Sequence, residues 1–315
     1  MSTSRQLGRT GVQVSALGIG TWAWGDKLFW GYGDRYGETD VEEAFQASVS
    51  AGITFFDTAE VYGTGESERL LGRFCKTTSS PLQIATKFGP LPWRFTKASV
   101  LEAIEASLSR LQMDSIALYQ VHWPFSFLLS QPTLFEALAE GVQRGWIQSV
   151  GVSNYNEQQM QNAHDSLASF GIPLAVNQVR YSLVTRQIEQ QGLLARSRQL
   201  GVTLLAYSPL AQGLLTGKYT AQNLPQGARR LDPRFNAKGL TKLAPVLDAL
   251  KQSAEAHDKT LGQVALNWLI QQENVIPIPG AKNARQAQEN AGAIGWALTP
   301  DEVEALEQVS RPYLH

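Results

Sequence analysis

The chain has 315 residues, a net charge of -1 and a single cysteine. That balance excludes the strongly basic surface of a nucleic-acid binder, and the absence of a Lys/Arg block speaks against an anionic membrane partner. One cysteine cannot make an internal disulfide, no apolar leader opens the chain, and no run approaches ~18 uninterrupted apolar residues, so a soluble cytoplasmic protein is expected. In chain order, Leu7 to Val14 reads as two short strands around a Gly-bearing turn, an N-terminal hairpin, and Ser15 to Gly20 as a strand. Residues 21–38 form a loop rich in Gly and Trp. From Thr39 to Ala51 the residues Val41, Ala44, Phe45 and Ser48 share one helical face, and Gly52 stops the helix.

Strands and helices then alternate. Strands are expected over Ile53 to Phe56, Leu82 to Lys87, Ser115 to His122, Trp146 to Ser153, Leu174 to Gln178 and Val202 to Tyr207. Helices are expected over Glu66 to Phe74, Thr96 to Leu111 with Thr96 as N-cap, Leu134 to Arg144, Glu157 to Phe170 and Gln187 to Leu200. Ser208 to Leu240 is a long polar segment with several glycines, of a length that marks a functional or flexible loop. Helices over Ala244 to Ala256 and Leu261 to Gln271, a strand over Val275 to Ile278 and a helix over Ala284 to Ala291 follow. Thr299 to Val309 is an extra terminal helix with Pro300 in its first turn. Strand–helix alternation without a linker points to one domain over residues 1–315, a (β/α)8 TIM barrel with an N-terminal β-hairpin and an extra C-terminal helix. A doubly wound open sheet is the alternative. Gly18-x-Gly20-x-x-Ala23, with Asp40 further on, imitates a dinucleotide fingerprint, but a loop follows the glycines where that motif needs a helix.

Asp57, Lys87 and His122 each end or follow an expected strand, and Tyr62 lies in the loop after Asp57. Parallel α/β folds place their chemistry at such strand ends. Each residue alone has a dull reading: a turn, a surface aromatic, a solvated strand end, a core histidine. Together they can protonate an oxygen that gains electrons, with the lysine lowering the pKa of the phenol and the histidine orienting a carbonyl. A serine or cysteine nucleophile paired with a base is missing, and so is the His/Cys spacing of a metal site. Hydride must come from elsewhere.

Asp57-Thr58-Ala59-x-x-Tyr62-Gly63, Lys87 and His122 resemble the catalytic tetrad of the aldo-keto reductase family. Gly18-Ile19-Gly20-Thr21-Trp22, Gly151-Val152-Ser153-Asn154-Tyr155, Asn177-Gln178, Tyr207-Ser208-Pro209-Leu210, Ile278-Pro279-Gly280-Ala281-Lys282 and Glu289-Asn290 follow in family order. The resemblance covers nearly the whole chain. It implies a (β/α)8 barrel that transfers hydride from NADPH to aldehydes and ketones. By it, Tyr62 is the general acid, Lys87 and Asp57 tune it, and His122 orients the carbonyl. Ser153, Asn154 and Gln178 would hold the nicotinamide carboxamide, beside Gly20, Thr21, Trp22 and Asp57, with Tyr207 stacked on the ring. Ser208, Leu210 and Gly213 would cover the pyrophosphate. Lys282, helped by Arg285, would meet the 2′-phosphate, Gln286, Glu289 and Asn290 the adenine end, and Gly280 and Lys218 are further expected cofactor contacts. Gly280-Ala281 stands where shorter-chain members carry Lys-Ser, and Gln286 where they carry arginine, which places the chain nearer the bacterial, plant and channel-subunit branches.

Trp22, Trp24, Trp30, Trp93 and Trp123 fall in loops after expected strands and are read, with Tyr62 and His122, as walls of a substrate site. Leu91-Pro92-Trp93 and Trp123-Pro124-Phe125 add stiff apolar surface, and Lys27, Arg35 and Arg94 are loop cations for a substrate carboxylate. Small reactive aldehydes such as 2-oxoaldehydes and semialdehydes are the expected substrates, with pyridoxal as an alternative, and a monomer is the expected state. A slow NADP-binding regulator like the channel β-subunits, and a lyase using Lys87 as a Schiff base, are competing readings.

Overall fold

The computed structural model describes residues 3–124, 128–220, 222–225 and 232–315. Strands β1 (Ser4–Gln6) and β2 (Gln13–Ser15) pair antiparallel as the hairpin. Eight parallel strands follow in one sheet in sequence order. They are β3 (Ile19–Gly20), β4 (Phe55–Asp57), β5 (Gln83–Phe88), β6 (Leu118–Val121), β7 (Val150–Ser153), β8 (Leu174–Arg180), β9 (Thr203–Tyr207) and β10 (Val275–Pro277). The sheet closes on itself: Gly18 N–H donates to Pro277 O and Gly20 N–H to Pro279 O, both at 3.0 Å. A Cβ on Gly20 would lie 3.0 Å from Ile278 O, so a side chain there would push the backbones of this seam apart by a few tenths of an ångström.

Helices α1 (Glu38–Ser50), α2 (Glu66–Cys75), α3 (Lys97–Leu111), α4 (Gln131–Gln143) and α5 (Glu157–Ala168) follow the strands. After β8 come α6 (Gln187–Gln190) and α7 (Leu193–Leu200), then α8 (Ala237–His257), α9 (Leu261–Ile270), α10 (Ala284–Ala291) and α11 (Pro300–Ser310). Val41, Ala44, Phe45 and Ser48 are the buried face of α1, as their spacing requires. Thr96, Asn156, Thr260 and Thr299 close reciprocal caps at the starts of α3, α5, α9 and α11, each worth about 1 kcal/mol.

Three expectations change. Residues 187–200 form two helices, because Gly192 takes φ 76 between them. α8 begins at Ala237 on an Asn236 cap, before the expected Ala244, so a proline-tolerant helix replaces the end of the expected long loop. The strand expected over Ser15 to Gly20 is divided between β2 and the two residues of β3.

One apolar core lies between sheet and helices, and a second fills the barrel. Inside the barrel the side chains form layers. Leu7, Val12 and Val14 of the hairpin region plug the N-terminal end. Above them sit Phe55, Ala85, Leu118, Val176 and Leu205. Side chains alternate along a strand, so the residue two further on in each strand points inward one layer higher. Those residues are Asp57, Lys87, Gln120, Gln178 and Tyr207. The apolar layer thus carries a polar layer on its C-terminal side.

Candidate active site

The polar layer is bound together by hydrogen bonds. Lys87 Nζ donates to Asp57 Oδ1 at 2.5 Å, to Thr58 O at 2.8 Å and to Tyr62 Oη at 3.3 Å. Lys87 is fully buried and Asp57 nearly so. An ion pair this deep is stable only if its remaining lone pairs and protons are also satisfied. Gln120 and Gln178 complete it by donating to Asp57 Oδ2 at 2.9 and 2.8 Å. The turn Tyr62–Gly65 brings the phenol back over this pair. Gly63 takes φ 56 there, and a Cβ on it would lie 2.5 Å from Gly25 O, which explains glycine after Tyr62. His122 follows β6, its ring edge-on to Tyr62 with centroids 5.7 Å apart and stacked on Trp123 at 3.8 Å.

The electrostatics correct one expectation. Burial raises the pKa of Tyr62 above its ordinary value, and the Lys87 ammonium opposes that rise without reversing it. The phenol therefore stays protonated through neutral pH. Burial works against the charged form of Lys87, but Asp57 and Tyr62 outweigh it and its pKa rises. A Schiff-base lysine must present a neutral, accessible amine. A fully buried ammonium bonded to Asp57 does not, so the lyase reading fails. Burial, helped by Lys87, holds the pKa of His122 well below the usual imidazole range, and the ring is neutral. Its Nδ1 is buried with no hydrogen-bond partner among the described residues, which leaves Nε2 to address the cavity.

That cavity, of about 790 Å³, lies at the C-terminal ends of the strands. Asp57, Tyr62, His122, Ser153, Asn154, Gln178 and Tyr207 line one part, and Gly280, Lys282, Arg285, Gln286, Glu289 and Asn290 another. Gly20, Trp22, Ser208, Leu210, Gly213 and Lys218 also face it. Asn154 donates from Nδ2 to His122 O at 3.1 Å and accepts at Oδ1 from Tyr207 Oη at 2.9 Å. Asn154, Ser208 and Gln212 line the cavity with φ of 62, 50 and 57, a left-handed backbone costing about 1–2 kcal/mol each for residues with a side chain. Such outliers gather at ligand sites. At the far part, Asn283 caps α10, and Lys282 and Arg285 flank that helix start. The Lys282 ammonium also sits 4.4 Å from the Trp30 ring and 4.5 Å from the Tyr36 ring.

This donor set fits a nicotinamide dinucleotide: amide and aromatic groups at one part, cations and a helix N-terminus for phosphate at the other. No group of three or more His, Cys, Asp or Glu side chains that could hold a metal occurs among the described residues. No helix among them is long and apolar enough to cross a membrane.

Four residues read as site residues lie elsewhere. Trp24 is wholly buried against Phe56 and Phe74 and donates from Nε1 to Ala281 O at 2.7 Å, so it is core and no cavity wall. Thr21 is buried too; its hydroxyl donates to Asp57 O and meets Ser67 Oγ, behind the strand ends. Trp93 is 66% exposed and outside the cavity lining. Arg94 is bound through both terminal nitrogens to Glu60, which removes it as a carboxylate receptor. Phe125 falls outside the described residues. Trp22, Trp30 and Trp123 do line the cavity. The sequence reading missed Gln120, which carried no chemical signal inside an apolar strand, and Gln212 and Thr216, which line the cavity from the Gly213 loop.

Residues 16–311 match the sequence model of the aldo/keto reductase family. The chain is 41% identical over 312 residues to a chloroplastic pyridoxal reductase of Arabidopsis thaliana, covering 95% of this chain and 84% of that protein. It is 36% identical over 302 residues to an uncharacterized oxidoreductase of Mycobacterium tuberculosis, covering 96% of this chain and 91% of that one. Among solved structures, a glycerol dehydrogenase from Gluconobacter oxydans superposes with a TM-score of 0.87 at 29% identity, covering 99% of this chain and 96% of that one.

Proposed function

Since the chain belongs to the aldo/keto reductase family, we propose that it is an NADPH-dependent reductase of aldehydes with Tyr62 as the proton donor. The observation that carries this reading is the buried Lys87 ammonium held between Asp57 and the Tyr62 hydroxyl. The nicotinamide would supply the hydride. The part of the protein is to place the carbonyl oxygen and give it a proton. Tyr62 Oη donates to that oxygen and releases its proton as charge gathers there. Lys87 then faces the phenolate left behind, and Asp57 keeps Lys87 charged. The neutral His122 donates from Nε2 to the same oxygen and orients it. Lys282 and Arg285 beside the start of α10 favour a 2′-phosphate, hence NADP over NAD.

On the substrate side, Trp22, Trp30 and Trp123 form apolar walls, with Trp22 tilted over Tyr62 at a centroid distance of 6.2 Å. Arg94 is engaged by Glu60, and Lys27 and Arg35 are exposed loop residues. A flat aldehyde without net charge suits these walls better than a semialdehyde carboxylate. Pyridoxal, the compound named for the plant relative, belongs to that class.

The test is NADPH oxidation, followed by absorbance, on pyridoxal, a 2-oxoaldehyde and a semialdehyde, with Tyr62→Phe in parallel. Wild type should turn over, fastest with the flat aldehyde, and the variant should lose at least ~10²-fold in kcat while binding NADPH as before. An unchanged rate in the variant removes Tyr62 from its role. Tight NADPH binding without turnover on any aldehyde ends the reductase reading.

A further inference from the structure

Gln120 stands on β6 at the register position of Lys87 on β5, fully buried. Its Nε2 and that of Gln178 both donate to Asp57 Oδ2. An ionised carboxylate only accepts, so each glutamine must turn its NH2 group to Asp57. Gln178 Nε2 also donates to Gln120 Oε1 at 3.1 Å. Both amides are therefore fixed, and Gln178 keeps Oε1 for the cavity that it lines. Gly151 adds to the room here, since a Cβ there would lie 2.5 Å from Val176 Cγ2 and 3.1 Å from Gln120 Cγ.

Resting on the reductase reading above, we infer that Gln120 is a positioning residue that holds Gln178 with Oε1 toward a bound carboxamide and couples that contact, through Asp57, to the Lys87–Tyr62 pair. Oε1 accepts from the carboxamide N–H. Gln120 takes up part of the Asp57 charge with its own N–H, which leaves more of the Lys87 field for Tyr62. The groups facing Tyr62 are Lys87 on β5, Asp57 on β4, His122 after β6 and Tyr207 on β9, and of these Lys87 alone favours the phenolate by its charge. Without Gln120, Asp57 neutralises Lys87 more fully, and Gln178 can turn its NH2 outward.

The test compares wild type with Gln120→Leu and Gln120→Glu. The first readout is equilibrium binding of NADPH and of its 3-acetylpyridine analogue, which lacks the carboxamide N–H, by quenching of protein fluorescence. Wild type should prefer NADPH by about tenfold, the worth of one unmade hydrogen bond, and Gln120→Leu by about twofold or less. The second is the pH profile of aldehyde reduction. Gln120→Leu should lower kcat by about tenfold at unchanged aldehyde KM, since the carboxamide loses its fixed acceptor and the phenol becomes the weaker acid, and carry the alkaline limb to higher pH. Gln120→Glu keeps a donor and an acceptor while its carboxyl is protonated. It should match wild type at low pH and lose activity as that group ionises beside Asp57.

An unchanged cofactor preference with an unmoved limb in Gln120→Leu overturns the assignment, and so does identical behaviour of the two variants at every pH. If wild type reduces no aldehyde, the reductase reading falls and the binding preference alone decides the place of Gln120. If wild type binds neither cofactor, both fall.

Discussion

At Tyr62 two opposed effects meet: burial disfavours the phenolate, and the Lys87 ammonium 3.3 Å from the hydroxyl favours it. Burial prevails, so the group is a reserve of one proton at neutral pH. His122 carries the same physics to a stability statement. Its pKa in the fold lies well below the ordinary 6.5, through burial first and Lys87 second. Below about pH 6.5 the unfolded chain gains a proton at this residue that the folded chain refuses, so stability is lost as pH falls from there toward the depressed value. His122→Asn has no such proton to gain. Urea unfolding between pH 8 and 5 should therefore show wild type losing stability relative to the variant by up to about 1.4 kcal/mol per pH unit below 6.5. Parallel curves would contradict a buried neutral imidazole.

The loops that carry the site are tied together from behind. Glu60, in the stretch between β4 and Tyr62, accepts from both terminal nitrogens of Arg94 and from Gly89 N–H, and Arg94 packs over the Phe88 ring. Glu60 is 8% exposed. Arg94→Met should leave that carboxylate buried with its main partner gone, at about 2–3 kcal/mol after allowing for the partial exposure of Arg94. Removing both charges with Glu60→Gln and Arg94→Met should restore much of that loss, because the penalty lies in the orphaned charge. Thermal melts of the four proteins in a double-mutant cycle decide this, and additive losses would refute it. This pair also marks the limit of sequence reading. Asp57, Lys87 and His122 were legible because a charged or titratable residue closing an apolar strand sits at the rim where a parallel barrel gathers its polar groups. Arg94 was legible as a cation, but its partner lies outside the expected strands and helices, and nothing local in the chain says that Glu60 turns toward it. Trp24 and Trp22 are alike in composition and setting, yet one is core and the other cavity wall, since an irregular loop has no period to tell its two sides apart. Gln120 could have been found by alternation: Leu118 points inward, so the residue two further on joins the layer of Lys87.

Across the whole molecule, stability and chemistry occupy opposite ends of one barrel. The hairpin region seals the N-terminal end: Gly8 N–H donates to Thr203 Oγ1 at 2.9 Å and Ser15 N–H to Thr54 Oγ1 at 3.0 Å, both acceptors lying at strand starts. Leu7, fully buried, packs in the inner core beneath the layer of Phe55, Val176 and Leu205, which itself lies beneath the polar residues of the site. Leu7→Ala should leave a cavity there and cost about 3 kcal/mol. In a chain of this size that lowers the melting temperature by roughly 4–5 °C. The apolar layer of Phe55, Ala85 and Leu118 lies between that cavity and Asp57, and interiors relax only partly around a deleted methyl group. The site should therefore keep its geometry. Well below the melting temperature, kcat and KM of Leu7→Ala should stay within about threefold of wild type. A drop in kcat comparable to that of Tyr62→Phe would mean that the layers move as one body, and the separation of stability from chemistry along the barrel axis would have to be abandoned.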